Sequence, residues 1–145
     1  MSRVTTYLNF MGNAEEAFEF YRSVFGTEYT VPPMRVGDTP PDPSAPPLSS
    51  ADKTKIMHVE LPILGGHALM ATDMLESMGH ELHVGNNVTI NLESDTREEV
   101  DRLYAALSEG GGDSAAPQQM FWGYWGTCLD RFGIRWMFNC PDAPQ

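Results

Sequence analysis

The sequence predicts an α+β domain built from two tandem βαβββ modules. Three observations carry that prediction. A strand-like run followed at once by a capped amphipathic helix occurs twice, over residues 4–26 and again over residues 87–110. Aligning the two helix starts superimposes Glu15-Glu16 on Glu98-Glu99, Phe20-Tyr21 on Leu103-Tyr104 and Val24 on Leu107, which marks an internal duplication. Behind each helix, β-type runs punctuated by glycine leave room for three more strands.

The first strand is expected in Val4-Thr5-Thr6-Tyr7-Leu8-Asn9-Phe10, whose β-branched and aromatic content suits a pleated surface, and Gly12-Asn13 breaks it. Asn13 can accept from an orphan backbone N–H while Glu16 reaches back. Ala17, Phe20, Tyr21, Val24 and Phe25 then form an apolar stripe that Gly26 ends. A strand over residues 29–36 is expected next. Residues 37–52 are too rich in Pro, Ser and Asp to join a sheet and read as a floppy loop or a lid. Residues 55–63 and 67–73 form a hairpin about Gly65-Gly66.

The second module opens on Asn87-Val88-Thr89-Ile90-Asn91-Leu92, an alternating strand. Thr96 stands three residues before Glu99 as a cap, and Val100, Leu103, Tyr104 and Leu107 repeat the stripe until Gly110-Gly111-Gly112. Residues 118–122, 125–129 and 134–140 supply the last three strands. The chain is thus one domain, 1–145, with a first module at 1–73, a connector at 74–86 and a second module at 87–145.

A length of 145 residues supports one core. The net charge of -11 and a pI near 4.5 oppose nucleic acid and anionic membrane as partners and favour a neutral or cationic small molecule. The plainer alternative is an acidic surface that keeps the chain soluble. No apolar run approaches the roughly 20 residues of a membrane span, and the first ten residues lack the pattern of a signal peptide. A cytoplasmic location follows as the expectation. Cys128 and Cys140 fit no metal spacing and read as reduced, buried thiols. His80 and His83 have ligand-like spacing without further ligands nearby in sequence.

Tyr7-Leu8-Asn9-Phe10, Gly12-Asn13-Ala14-Glu15-Glu16-Ala17, Phe20-Tyr21 and Phe25-Gly26 resemble the PhnB-like branch of the vicinal-oxygen-chelate superfamily. Trp122-Gly123 and Asp130-Arg131-Phe132-Gly133 followed by Trp136 extend the likeness, which covers nearly the whole chain. The resemblance implies the glyoxalase/bleomycin resistance/dioxygenase fold: curved mixed sheets around a cavity, helices outside, usually in a homodimer. Many members hold a divalent metal through His, Glu or Gln, one from the first and one from the last strand of each half. The corresponding positions here are Thr6 (Thr5 or Tyr7 in other registers), Met70, Asn87 (or Thr89) and Met137. A thioether is a poor ligand for such cations, so no metal and no other cofactor is expected. A divalent ion on unorthodox ligands is the alternative. Some members of the branch carry the name of a demethylubiquinone methyltransferase. A Rossmann-type methyltransferase needs a Gly-rich loop after its first strand, whereas Gly110-Gly111-Gly112 follows a helix.

Strand parity selects the cavity residues. Centring the hairpin on Gly65 sets Glu60 opposite Met70 and His58 opposite Thr72, with Met57, Val59, Leu61, Leu69 and Ala71 toward the helix. In the second module Val88, Ile90 and Leu92 face the helix and leave Asn87, Thr89 and Asn91. Ile134, Trp136 and Phe138 do likewise and leave Arg135, Met137 and Asn139. His58 and Glu60 are the candidate acid/base pair, and Thr72, Asn91 and Arg135 the candidate ligand contacts. The structural alternative is a Glu60–Arg135 salt bridge with His58 as a satisfied structural group. Phe121, Trp122, Tyr124 and Trp125 cluster in sequence, and Trp122 and Trp125 are candidates for stacking on a planar ligand or a cation. A core or dimer interface would use them equally well. The expected function is small-molecule binding without a metal, as in resistance proteins that sequester a drug. The alternative is a lyase, isomerase or dioxygenase-type enzyme using atypical ligands or His58 and Glu60.

Overall fold

Each half of the sequence folds into a four-stranded mixed sheet with one long helix against one face, as the duplication predicts. A computed structural model describes residues 1–142; residues 143–145, the end of the second module as read from sequence, lie outside the described residues. The chain divides into two units, Met1–His83 and Val84–Gln145, so the division falls inside the segment read as a connector.

The first unit runs β1 (Thr6–Phe10), α1 (Ala14–Phe25), β2 (Met34–Arg35), the single-turn α2 (Ser50–Lys53), β3 (Ile56–Pro62) and β4 (Ala68–Asp73). Its strand order is β1-β4-β3-β2, with β1 parallel to β4 and the other pairs antiparallel. The second unit runs β5 (Ile90–Glu93), α3 (Arg97–Ser108), β6 (Gly112–Met120), β7 (Gly123–Leu129) and β8 (Arg135–Pro141). Its order, β5-β8-β7-β6 with β5 parallel to β8, repeats the first.

The helices form where the sequence places them, but α1 is capped differently. Thr96 caps α3 as read, its side chain accepting from Glu99 N. Asn13 makes no side-chain cap. Asp73, at the end of β4, takes that role: its Oδ1 accepts from Gly12 N at 3.1 Å and Ala14 N at 2.9 Å. The buried stripe of α1 is Ala14, Ala17, Phe18, Tyr21 and Val24; Phe20 and Phe25 are only half-buried. Gly26 ends the helix at φ 64°, a left-handed conformation that costs a glycine least.

The long strand expected over residues 29–36 shrinks to β2. Pro32 and Pro33 have no N–H to donate and fix φ, so the ladder cannot extend through them. The hairpin register is as read, with Glu60 opposite Met70 and Val59 opposite Ala71. Met57 departs from it. Between Met34↔His58 and Arg35↔Ile56 the register slips by one residue, so Met57 is extra and 45% exposed rather than packed on the helix.

In the second unit the first strand starts late. Ile90 pairs with Trp136, so the continued register would set Asn87 and Val88 against the turn before β8, where no strand exists to receive them. Asn87, Val88 and Thr89 therefore lie outside β5, and Val88 is 73% exposed instead of facing the helix. Strand β6 begins six residues earlier than expected and slips register twice against β7. Asp113, at the first slip, has a φ of 44°.

Both cores lie between sheet and helix. Phe10, Phe18, Tyr21, Val59, Leu61, Leu69 and Ala71 close the first; Leu92, Val100, Leu103, Leu107, Cys128, Trp136 and Phe138 close the second. Cys128 is buried as expected, whereas Cys140 is only half-buried, and both thiols are free. Among the described residues no helix is long and apolar enough to cross a membrane.

Candidate functional site

With one face of each sheet under a helix, the polar side chains of alternate strand residues gather on the other face. On the first sheet β1 contributes Tyr7 and Asn9, β2 Met34, β3 His58 and Glu60, and β4 Met70 and Thr72. Four of these, His58, Glu60, Met70 and Thr72, are the residues parity selected. Thr6 is not among them: it pairs with Leu69 on the helix side, and its hydroxyl lies 2.9 Å from His67 Nε2. The first-strand residue opposite Met70 is Tyr7.

The structure does not couple His58 to Glu60. The His58 Nδ1 atom sits 3.1 Å from Tyr7 Oη, with the two rings 5.8 Å apart between centroids. Burial raises the Tyr7 phenol above its ordinary value, so Tyr7 keeps its proton. Glu60, 17% exposed, receives both terminal nitrogens of Arg3 at 3.3 Å. The Thr72 hydroxyl turns to backbone, at 3.4 Å from Ile56 O and 3.3 Å from Asp73 O.

On the second sheet the helix-free face carries Asn91 from β5, Arg135, Met137 and Asn139 from β8, and Trp125, Thr127 and Leu129 from β7. Asn139 Nδ2 donates to Asn91 Oδ1 at 3.2 Å. Arg135 Nη2 donates to Asp113 Oδ2 at 2.7 Å, and its Nε is buried without a partner. Each of these charges is met within its own unit, Glu60 by Arg3 and Arg135 by Asp113. The residue paired with Met137 is Asn91, not Asn87.

The aromatic cluster divides. Tyr124 turns to the helix side, donating to Asp101 Oδ1 at 2.7 Å beneath the Arg97 guanidinium. Trp122 and Trp125 meet edge to face at 6.1 Å, and Phe121 packs edge-on to Trp122 at 4.7 Å. Trp122 is 42% exposed and Phe121 93%, so these rings form no part of a core.

A conventional divalent metal does not fit the donors present. The first-strand and last-strand positions hold Tyr7 with Met70 and Asn91 with Met137, a phenol, an amide and two thioethers. Among the described residues no three His, Cys, Asp or Glu side chains come together to hold an ion. His80 serves the backbone, its Nδ1 accepting from Leu75 N at 2.9 Å, while His83 is 80% exposed.

Arg3 and Asp113 escaped the sequence reading, and Tyr7 stood in it only as an alternative to Thr6. Setting the parity of β1 on Phe10, the buried residue of that strand, selects Tyr7 over Thr6. Arg3 and Asp113 had no local signal, since each is defined by a partner far along the chain.

A model of the family described as 3-demethylubiquinone-9 3-methyltransferase matches residues 2–138. The chain is 33% identical to protein PA1353 from Pseudomonas aeruginosa, covering 99% of this chain and 100% of that one with a TM-score of 0.82. It is 24% identical to a putative 3-demethylubiquinone-9 3-methyltransferase, PhnB protein, from Bacillus cereus, over 96% and 99% of the two chains, with a TM-score of 0.73. A glyoxylase/bleomycin resistance protein/dioxygenase domain from Frankia sp. EAN1pec has the same fold at 13% identity, over 100% and 96% of the chains, with a TM-score of 0.64.

Proposed function

This chain belongs to the 3-demethylubiquinone-9 3-methyltransferase family, a PhnB-like group of glyoxalase/bleomycin-resistance fold, and from that premise we propose that it binds a small molecule on its helix-free sheet faces without a divalent metal. The observation that carries the proposal is the Trp122–Trp125 pair on the open side of the second sheet, beside Thr127 and the Asn91–Asn139 pair. Half-exposed indoles next to amides and a hydroxyl offer a stacking surface with polar groups at its edge. The Arg135 charge on that face is met by Asp113, and a net charge of -11 favours a neutral or cationic ligand. Methyl transfer finds no support in the topology, because neither sheet has the strand, Gly-rich loop and helix of a Rossmann unit. A cytoplasmic homodimer completes the proposal, supported by the free thiols and by the likeness to the superfamily.

Planar aromatic cations such as acridine orange are the probes of choice. Binding should raise the melting temperature and quench tryptophan fluorescence. Trp125→Ala should weaken binding by about tenfold or more, the loss of one stacking or cation–π contact. Equal affinity in wild type and variant would reject the site.

One observation favours a catalytic alternative. His58 hydrogen-bonded to a protonated Tyr7 could exchange a proton with a ligand, with Glu60 bridged to Arg3 on the same face. That alternative requires His58→Ala to abolish turnover of an identified substrate while the protein stays folded. Wild-type turnover in that variant would eliminate it.

A further inference from the structure

We propose that the helix-free face of the first sheet carries a site for a soft monovalent cation, copper(I) in type, held by the thioethers of Met34 and Met70 and by Nε2 of His58. Nothing in the small-molecule proposal requires this site, and it stands on different residues. Met34 is directly opposite His58 across the β2–β3 pair, where facing Cβ atoms are about 4.5–5.5 Å apart. Met70 is opposite Glu60, two residues along β3 from His58, which makes it a diagonal neighbour at about 7–8 Å. Three rotatable bonds let each methionine swing its sulfur over the imidazole edge.

Two further features suit a metal. Met34 is 48% exposed although it sits in a strand, so its sulfur is open to an arriving ion. The hydrogen bond between Tyr7 Oη and His58 Nδ1 fixes the ring. When Nδ1–H donates to the phenol oxygen, Nε2 keeps its lone pair, which is the arrangement outer-sphere partners impose on metal-binding histidines. Thioether and imidazole are the donors that discriminate in favour of copper(I) and against hard divalent cations. Met70, which spoils a conventional site, becomes a ligand in this one.

The test is an anaerobic copper(I) titration of the full chain against bicinchoninate, followed by NMR of methyl-labelled methionine. It is run in wild type and in Cys140→Ser, because a half-buried thiol is itself a copper(I) ligand. Cys128 stays out, being buried with its thiol pushed up to about 12 by desolvation and by Asp130. A single equivalent should bind in both proteins, moving the methyl signals of Met34 and Met70 while those of Met11, Met78 and Met120 stay in place. Met34→Leu with Met70→Leu should abolish competition with bicinchoninate. Tyr7→Phe, which leaves every ligand in place, should weaken binding about tenfold through loss of the outer partner. The labelled wild-type spectrum decides the matter even if a variant folds poorly. No uptake, binding lost only in Cys140→Ser, or movement of the other methyl signals instead would overturn the proposal.

Discussion

Asp73→Ala is expected to cost about 3–5 kcal/mol of folding stability. Asp73 is 6% exposed, and its carboxylate receives three backbone N–H groups from two different segments. Oδ1 takes Gly12 and Ala14 at the start of α1, and Oδ2 takes Ile56 at the start of β3, at 2.8 Å. One side chain therefore ties the last strand of the first sheet to the helix that covers it and to the strand beside it. Alanine removes three charge-assisted bonds and the favourable interaction of an anion with a helix N-terminus. It also strands donors that cost about 1–3 kcal/mol each when left dry; water entering the gap keeps the sum below the maximum. Asp73→Asn should fall between, because one oxygen still accepts while the new amide turns donors toward a donor. Urea unfolding followed by circular dichroism gives both values. A loss under about 1 kcal/mol for alanine would mean that the carboxylate is not the clamp.

That carboxylate also shows what the sequence could and could not reveal. The register of the β3–β4 hairpin was legible, because Val59, Leu61, Leu69 and Ala71 alternate with polar residues and only one turn centre satisfies both strands. The cap of α3 was legible because Thr96 and Glu99 are near neighbours in sequence. The cap of α1 was not, since its acceptor lies 59 residues away from Ala14 and a local pattern offers Asn13 in its place. The same physics explains the candidate site. Alternation identified His58, Glu60, Thr72 and Arg135 as sharing helix-free faces, while their partners Tyr7, Arg3 and Asp113 depend on long-range pairing. Asp113 in particular reaches Arg135 from a strand whose two register slips have no counterpart in residue type alone. Late onset of β5 is of the same kind: Asn87-Val88 continues the alternation well enough for a strand but would fall opposite the turn before β8.

The second sheet has its own carboxylate clamp, and it should be as sensitive as the first. Asp130 is 2% exposed at the turn between β7 and β8. Its Oδ1 accepts from Phe132 N at 2.8 Å and Ile134 N at 3.0 Å, and its Oδ2 from Trp136 Nε1 at 2.8 Å. The turn is closed by backbone as well, Gly133 N donating to Asp130 O and Asp130 N to Ile134 O, with Gly133 at a φ of 88° that other residues rarely adopt. Trp136 is fully buried, so its indole N–H must find an acceptor inside the protein, and Asp130 is that acceptor. Asp130→Ala is expected to cost about 3–5 kcal/mol by opening the turn and stranding the indole at once. A double-mutant cycle separates these effects. Trp136→Phe removes the N–H and part of the ring, and its cost, about 1–3 kcal/mol, includes a cavity term. In the double variant the indole is no longer stranded, so the combined loss should fall short of the sum of the single losses by about 1 kcal/mol or more. Strict additivity would show that the Asp130–Trp136 bond contributes nothing and that the carboxylate acts on the turn alone.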